Sequence, residues 1–259
     1  MQTDAATSLA FVLSRTALLA AAGLYAVAFG LAMLGPARGR VLAGLGVAAH
    51  LLAMSLRGVL IAYFPLTNKM ESFSTAALAV ALVLVLTWQP RRSFLLPMFV
   101  VIGAAMAMAF SFGLELHDAP PLMRTIWYPL HVPASFLAYG LWTAAAASAL
   151  RWWLERSVDS LQSVQDLALW GFGLWSLAMV CGGVWGVLAW GAYFLWDPKV
   201  LWSVILWFHY ATFVHLRLSP TLQLRVWLRP LLAVTGFGFV LVAYVGTSFL
   251  FGNSSHGWR

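Results

Sequence analysis

Five tryptophans, one acid and one base fall within the 23 residues of Trp185–Trp207, WGVLAWGAYFLWDPKVLWSVILW. The indole ring is bulky and amphipathic and suits a membrane–water boundary. A boundary needs one or two such rings. Five around the turn that carries Asp197 and Lys199 could instead build an aromatic plate against which a planar ligand lies. Six histidines supply the other chemistry: His50, His117, His131, His209, His215 and His256. Neutral imidazole ligates haem iron, zinc or copper. A zinc site calls for short spacing such as HxxxH or HExxH, which is absent here. His209 and His215, six apart, lie about 240° apart around a helix and cannot share one metal.

These residues must be held by membrane-spanning helices. The chain has 259 residues, 62% hydrophobic and 9% charged, with a mean hydropathy of +0.86. A soluble domain carries about 25% charged residues. Apolar runs long enough to cross the hydrocarbon core predict eight spans, at 8–34, 41–64, 72–89, 93–113, 130–150, 165–189, 198–216 and 230–251. The runs are too long for strands and do not alternate. The expected fold is all-α, a polytopic helical membrane bundle forming a single integral membrane domain over 1–259, with a tryptophan-rich outer loop at about 185–202.

The net charge of +7 does not indicate nucleic acid, because Lys and Arg in a membrane protein mark the cytoplasmic side. Arg38, Arg40, Arg91, Arg92, Arg151, Arg156, Arg217, Arg225 and Arg229 fall in one set of connections. Lys69, Arg124, Lys199 and Arg259 fall in the alternating set. The positive-inside rule therefore predicts both termini outside. The single cysteine, Cys181, allows no disulfide within the chain, and without CxxCH the chain attaches no c-type haem to itself. MQTDAATS lacks a positive n-region, so no cleaved signal peptide is expected.

This topology puts His117, His131 and His256 on the outer face with the tryptophan-rich loop. Two histidines from different segments flanking an aromatic plate suit the two axial positions of a haem, and His131 and His256 are placed for it. Each residue also has a plainer reading. His117 can be a solvated loop residue, and His50 and His209 can bridge helices by hydrogen bonds. The tryptophans can form an interfacial belt. Asp197, followed by Pro198, can cap span seven. Arg57 and Arg15 can snorkel or pair with an anionic group such as a haem propionate. Glu71 can cap span three.

WGVLAWGAYFLWDPKVLW resembles the WGxxWxWDxxxxW signature of the cytochrome c assembly family. Further segments resemble its CcsA (ResC) branch. Phe64–Ser72, FPLTNKMES, is similar to GHFPLSNxYES. His131-Val132 with Ala138-Tyr139-Gly140 is similar to HVxxxxxGY, Phe213–Arg217 to YLHxR, and Ser255-His256-Gly257-Trp258 to LHSYGW. The HVPA at 131–134 also resembles the more distant CcmC branch. The resemblance spans about residues 55–259 in family order. The chain departs from it at Tyr63, where the family has His, at Phe194 for the middle tryptophan, at Val200-Leu201 for Glu-Thr, and in the tail at Asn253–Ser255.

The resemblance implies cytochrome c biogenesis in a bacterial cytoplasmic or thylakoid membrane. It implies that His131 and His256 ligate the iron of haem b at an outer site, and that His215 holds haem within the bilayer opposite a histidine of a CcsB-like partner. Trp185, Trp190, Trp196, Asp197, Trp202 and Arg57 would surround the haem. Ferrous haem would be presented to the CxxCH thiols of an apocytochrome c, as part of a cytochrome c synthase (haem lyase). Two other readings remain. One is a membrane b-type cytochrome or quinone-linked carrier with permanent haem, usually built on histidine pairs within the bilayer. The other is a transporter with an aromatic vestibule, although no span shows the broken-helix pattern expected of one.

Overall fold

The computed structural model describes residues 2–249, with side chains from Thr7 onward. His256 and the rest of the tail lie outside the described residues. All eight predicted spans are helices: α1 (Gln2–Leu34), α2 (Arg40–Leu60), α3 (Lys69–Leu86), α4 (Arg92–Phe110), α5 (Trp127–Glu155), α6 (Val158–Trp190), α7 (Pro198–Leu218) and, after the one-turn α8 (Pro220–Gln223), α9 (Leu228–Leu241). Helix α9 runs on through a π-helical turn, Val242–Gly246, into α10 (Thr247–Phe249). No strand occurs among the described residues.

Six segments among the described residues are both long and apolar enough to cross a membrane: Thr7–Leu34, Arg40–Leu60, Lys69–Leu86, Arg92–Phe110, Val158–Trp190 and Leu228–Phe249. The chain is an integral membrane protein. Helices α5 and α7, at 29 and 21 residues, are long enough. Their tryptophan, tyrosine, histidine, proline and arginine residues lower the average apolarity. The two long helices outside that set of six thus carry His131, His209 and His215.

The chain forms two compact units, Met1–Arg124 and Thr125–Arg259. In the first, each of α1 to α4 packs on its chain neighbour, and α1 also packs on α4. The α1–α2 turn depends on Gly39, whose φ is +92°. A Cβ there would also lie 2.5 Å from the Ala28 carbonyl oxygen, so both conformation and space require glycine. Helix α3 starts at Lys69, earlier than the apolar run predicts. Asn68 caps it by accepting the Glu71 backbone N–H at 2.9 Å, as Asn does well at this position.

In the second unit, α5 packs most extensively on α6, and α9 lies against α5, α6 and α7. Its core is aromatic. Trp142 and Tyr210 stack face to face with ring centroids 3.7 Å apart and planes 1° apart, and both are fully buried. Trp175 and Tyr139 extend the cluster. The indole N–H groups find acceptors, as they must away from water. Trp142 donates to the Ala168 carbonyl, Trp175 to the Ser203 carbonyl and Trp207 to the Ser176 hydroxyl.

Candidate functional site: a histidine in an aromatic cluster

The tryptophan-rich segment is helix at both ends. Trp185 and Trp190 belong to α6, Trp202 belongs to α7, and only 191–197 lies outside the helices. Gly191 ends α6 in the left-handed region, at φ +74°, with its N–H bonded to the Val187 carbonyl at 2.9 Å. Glycine at this place is a common helix terminator. Pro198 opens α7 and Asp197 caps it, accepting the Lys199 backbone N–H at 2.9 Å. Asp197 is buried. The capping role expected of it is therefore what its carboxylate performs. The Lys199 ammonium lies 5.8 Å from the centre of the Tyr244 ring, a cation–π distance.

His131 sits in the first turns of α5. Its Nδ1 lies 2.7 Å from the backbone oxygen of Ala178 on α6. A carbonyl only accepts, so Nδ1 carries the hydrogen. In the neutral ring the lone pair is then on Nε2, the tautomer suited to binding a metal through Nε2. The ring lies nearly parallel to Trp185, at 22° with centroids 6.3 Å apart. Trp185 also meets Tyr128 at 5.1 Å and Trp190, edge to face, at 4.8 Å. Four rings from α5 and the end of α6 thus form one cluster. Ser135 stiffens the turn by donating to the His131 carbonyl at 2.8 Å.

The other half of the segment is exposed. Trp196 is 87% and Tyr193 74% solvent-accessible, and Phe194 packs edge-on against Trp196. Trp202 is half-buried against Phe239 of α9. The five tryptophans do not make one plate. Trp185 backs His131 and Trp190 meets Trp185 edge to face, Trp196 is exposed, and Trp202 and Trp207 pack between helices.

The remaining histidines differ in kind. His50 is fully buried and both ring nitrogens have partners, Ser74 Oγ at 2.7 Å and the Tyr25 hydroxyl at 3.4 Å. His209 donates from Nε2 to the Leu232 carbonyl at 2.8 Å. Both are helix–helix bridges. His117 is exposed in the 111–124 segment, and its backbone oxygen accepts from Thr67 Oγ1. His215 is exposed near the C-terminal end of α7, 16 residues beyond Lys199 and so about 24 Å along the helix.

Arg57 is 1% exposed. Its Nε donates to Glu71 at 2.9 Å, and its two terminal nitrogens donate to the backbone oxygens of Leu114 and Glu115 at 3.0 and 2.8 Å. Glu71 also accepts from the Thr67 N–H and hydroxyl. Glu71 thus does more than cap α3. The anionic partner of Arg57 is a carboxylate of this chain, and the guanidinium does not snorkel. Together they tie the 61–68 connection to the 111–124 segment, and Tyr63 adds a bond from its hydroxyl to the Met123 carbonyl. A buried arginine in an apolar helix calls for a partner. The FPLTNKMES stretch contained it, but nothing in the spacing says that the pair closes around two loop carbonyls.

The sequence reading also missed the Ala178 carbonyl, Tyr128 and Tyr244. A backbone carbonyl carries no sequence signal. Tyr244 reaches Phe136 and Tyr139 of α5 from the π-helical turn, a feature frequent at functional sites that residue types do not announce.

Fold and site together define a polytopic helical membrane protein with a histidine held in an aromatic cluster. A sequence model of the family described as "Cytochrome C assembly protein" matches residues 45–253, and the chain belongs to that family. Over 90 residues, 34% of this chain and 28% of the relative, it is 47% identical to the cytochrome c biogenesis protein CcsA of Prochlorococcus marinus (strain MIT 9215). To CcsA of Gloeobacter violaceus (strain ATCC 29082 / PCC 7421) it is 42% identical over 119 residues, 45% of this chain and 34% of that one. To CcsA of Synechococcus sp. (strain JA-2-3B'a(2-13)) it is 34% identical over 166 residues, 57% and 47% of the two. The matched parts take in less than half of each relative's length. The solved structure of the cytochrome c heme lyase CcmF aligns with a TM-score of 0.67 at 19% identity, over 92% of this chain and 46% of that one. That likeness is one of fold.

Proposed function

We propose that this chain binds haem at the His131 cluster and presents it for covalent attachment to an apocytochrome c. What carries the reading is the His131–Ala178 hydrogen bond, which sets the tautomer that ligates iron through Nε2, beside a near-parallel indole. Membership of the cytochrome c assembly family and the names of its relatives, cytochrome c biogenesis proteins and a cytochrome c heme lyase, support the same reaction class. His256 supplies the second axial ligand in this reading, and the membrane face bearing both is the outer one.

Haem is the substrate. Each thioether forms when a thiol of a CxxCH segment adds across a haem vinyl group. The sulfur bonds to the carbon next to the ring, the hydrogen goes to the terminal carbon, and no oxidant is consumed. The chain's contribution is positional: ligating and orienting the haem makes the encounter with two thiols behave as an intramolecular step. Trp185 and Trp190 shield the histidine and offer apolar surface, while exposed Trp196 and Tyr193 stand where a bound haem edge or an arriving peptide would meet them. Asp197 acts through the start of α7 that it caps. Arg57 acts through the connections it ties. His215, far along α7, fits a separate entry site that takes its second ligand from a CcsB-like partner.

A permanent haem held by His50 inside the bilayer is disfavoured, because both of its ring nitrogens already bond to groups of the chain. The test is to purify the chain with and without a CcsB-like partner and record absorption spectra of wild type, His131→Ala, His256→Ala and His215→Ala. Haem bands that change on substitution of His131 and of His256 are expected. Bands indifferent to both would overturn the proposal.

A further inference from the structure

We propose that Gly182 is the positioning residue for the His131 imidazole, and that Ala178, Gly182 and Trp185 form a slot on α6 that decides which of its nitrogens meets iron. The inference rests on the reading of His131 as a haem ligand. The three slot residues, at i, i+4 and i+7, share one face of the helix. Ala178 presents its carbonyl to Nδ1 at 2.7 Å. A carbonyl has two lone pairs, so it can accept from the imidazole while keeping its helical bond. Trp185 lies almost parallel to the ring.

Gly182 provides the floor. A Cβ built there would lie 2.6 Å from both Cε1 and Nδ1 of His131 and 3.3 Å from Cγ. Those distances are well inside van der Waals contact, and they fall on the atom that donates to Ala178. The backbone does not itself ask for glycine, since Gly182 lies within α6 and has no positive φ. In a helix interior glycine is the weaker choice than alanine. The space is needed by the ring. Two glycines of the same helix serve as controls: Gly183 would bring a Cβ to an ordinary 3.6 Å from Tyr193, and Gly173 meets nothing within 4 Å.

The test is a double-substitution cycle in the purified full chain, read with and without haem. Gly182→Ala should reduce retained haem roughly ten-fold or more, the scale of losing a group that orients a metal ligand, and shift the absorption bands. Gly183→Ala and Gly173→Ala should keep the wild-type spectrum. Without haem, Gly182→Ala should lower Tm when His131 is present and leave it unchanged or slightly raised when His131 is already alanine, since alanine is the better helix former. A wild-type spectrum in Gly182→Ala, or an equal Tm loss in both backgrounds, would overturn the positioning role. If Gly182→Ala alone yields no folded protein, the double variant should restore it, and failure to do so would also overturn the role. If no protein, wild type included, shows haem bands, the haem reading fails, while the haem-free cycle still decides what Gly182 does.

Discussion

Two polar clusters, one buried and one half-buried, one in each unit, solve opposite problems. In Met1–Arg124 the Arg57–Glu71 pair is closed on itself: each charge meets the other, and their remaining hydrogen bonds go to Thr67 and to the carbonyls of Leu114 and Glu115. In Thr125–Arg259 the polar group at the heart of the aromatic cluster is the His131 imidazole. One of its nitrogens serves the fold by donating to Ala178, and the tautomer so fixed puts the lone pair on the other. The first cluster shapes loops. The second has the chemistry to hold a ligand. His50, in the first unit, is a helix bridge, with Ser74 and Tyr25 engaging both of its nitrogens.

The contrast predicts different phenotypes. His131→Ala should abolish the wild-type haem spectrum while the protein still accumulates and folds. His50→Ala should cost stability in a thermal melt and leave the bands in place. Loss of the haem bands in His50→Ala alone would erase the distinction.

Removing one partner of the buried pair should be the largest effect on folding. Arg57→Ala or Glu71→Ala leaves a charge uncompensated, at a cost of about 3–5 kcal/mol, read as a lower Tm and reduced yield in detergent. The double substitution Arg57→Met with Glu71→Leu should recover most of that loss, because two apolar side chains of similar volume often replace such a pair. If the single variants melt like wild type, the clamp does not hold the loops.

Asp197→Ala should be milder. Losing an N-cap costs about 0.5–2 kcal/mol, and Asp197→Asn or Asp197→Ser should restore most of it. A carboxylate needed for more than capping would show as a haem defect that neither substitution rescues. Trp196→Ala should do least to folding, within about 0.5 kcal/mol for so exposed a side chain. Any large loss it causes should appear in haem attachment rather than in the melt.

Much of this was legible in the residues. The eight helical runs stand out because apolar length is a strong signal, and Asp197-Pro198 announces the start of α7. Less legible was how the tryptophans divide. Five indoles within 23 residues suggest one surface. A helix turns 100° per residue, though, and α6 continues through Trp190, so Trp185 and Trp190, five residues apart, leave the helix about 140° apart. Trp185 meets rings of α5, while Trp196 beyond the helix is exposed. Arg57 misled for a related reason. An arginine in an apolar run needs an anion, and residue types alone do not say whether that anion is a ligand or Glu71. The tautomer of His131 was beyond reach, because it depends on a backbone carbonyl 47 residues away.

The central claim is that His131 ligates haem. Its most direct test is the absorption spectrum of the purified chain with its CcsB-like partner, compared between wild type and His131→Ala prepared side by side to equal folded yield. The account predicts haem bands in the wild type that are lost or clearly shifted in the variant. Identical bands in the two proteins would contradict it.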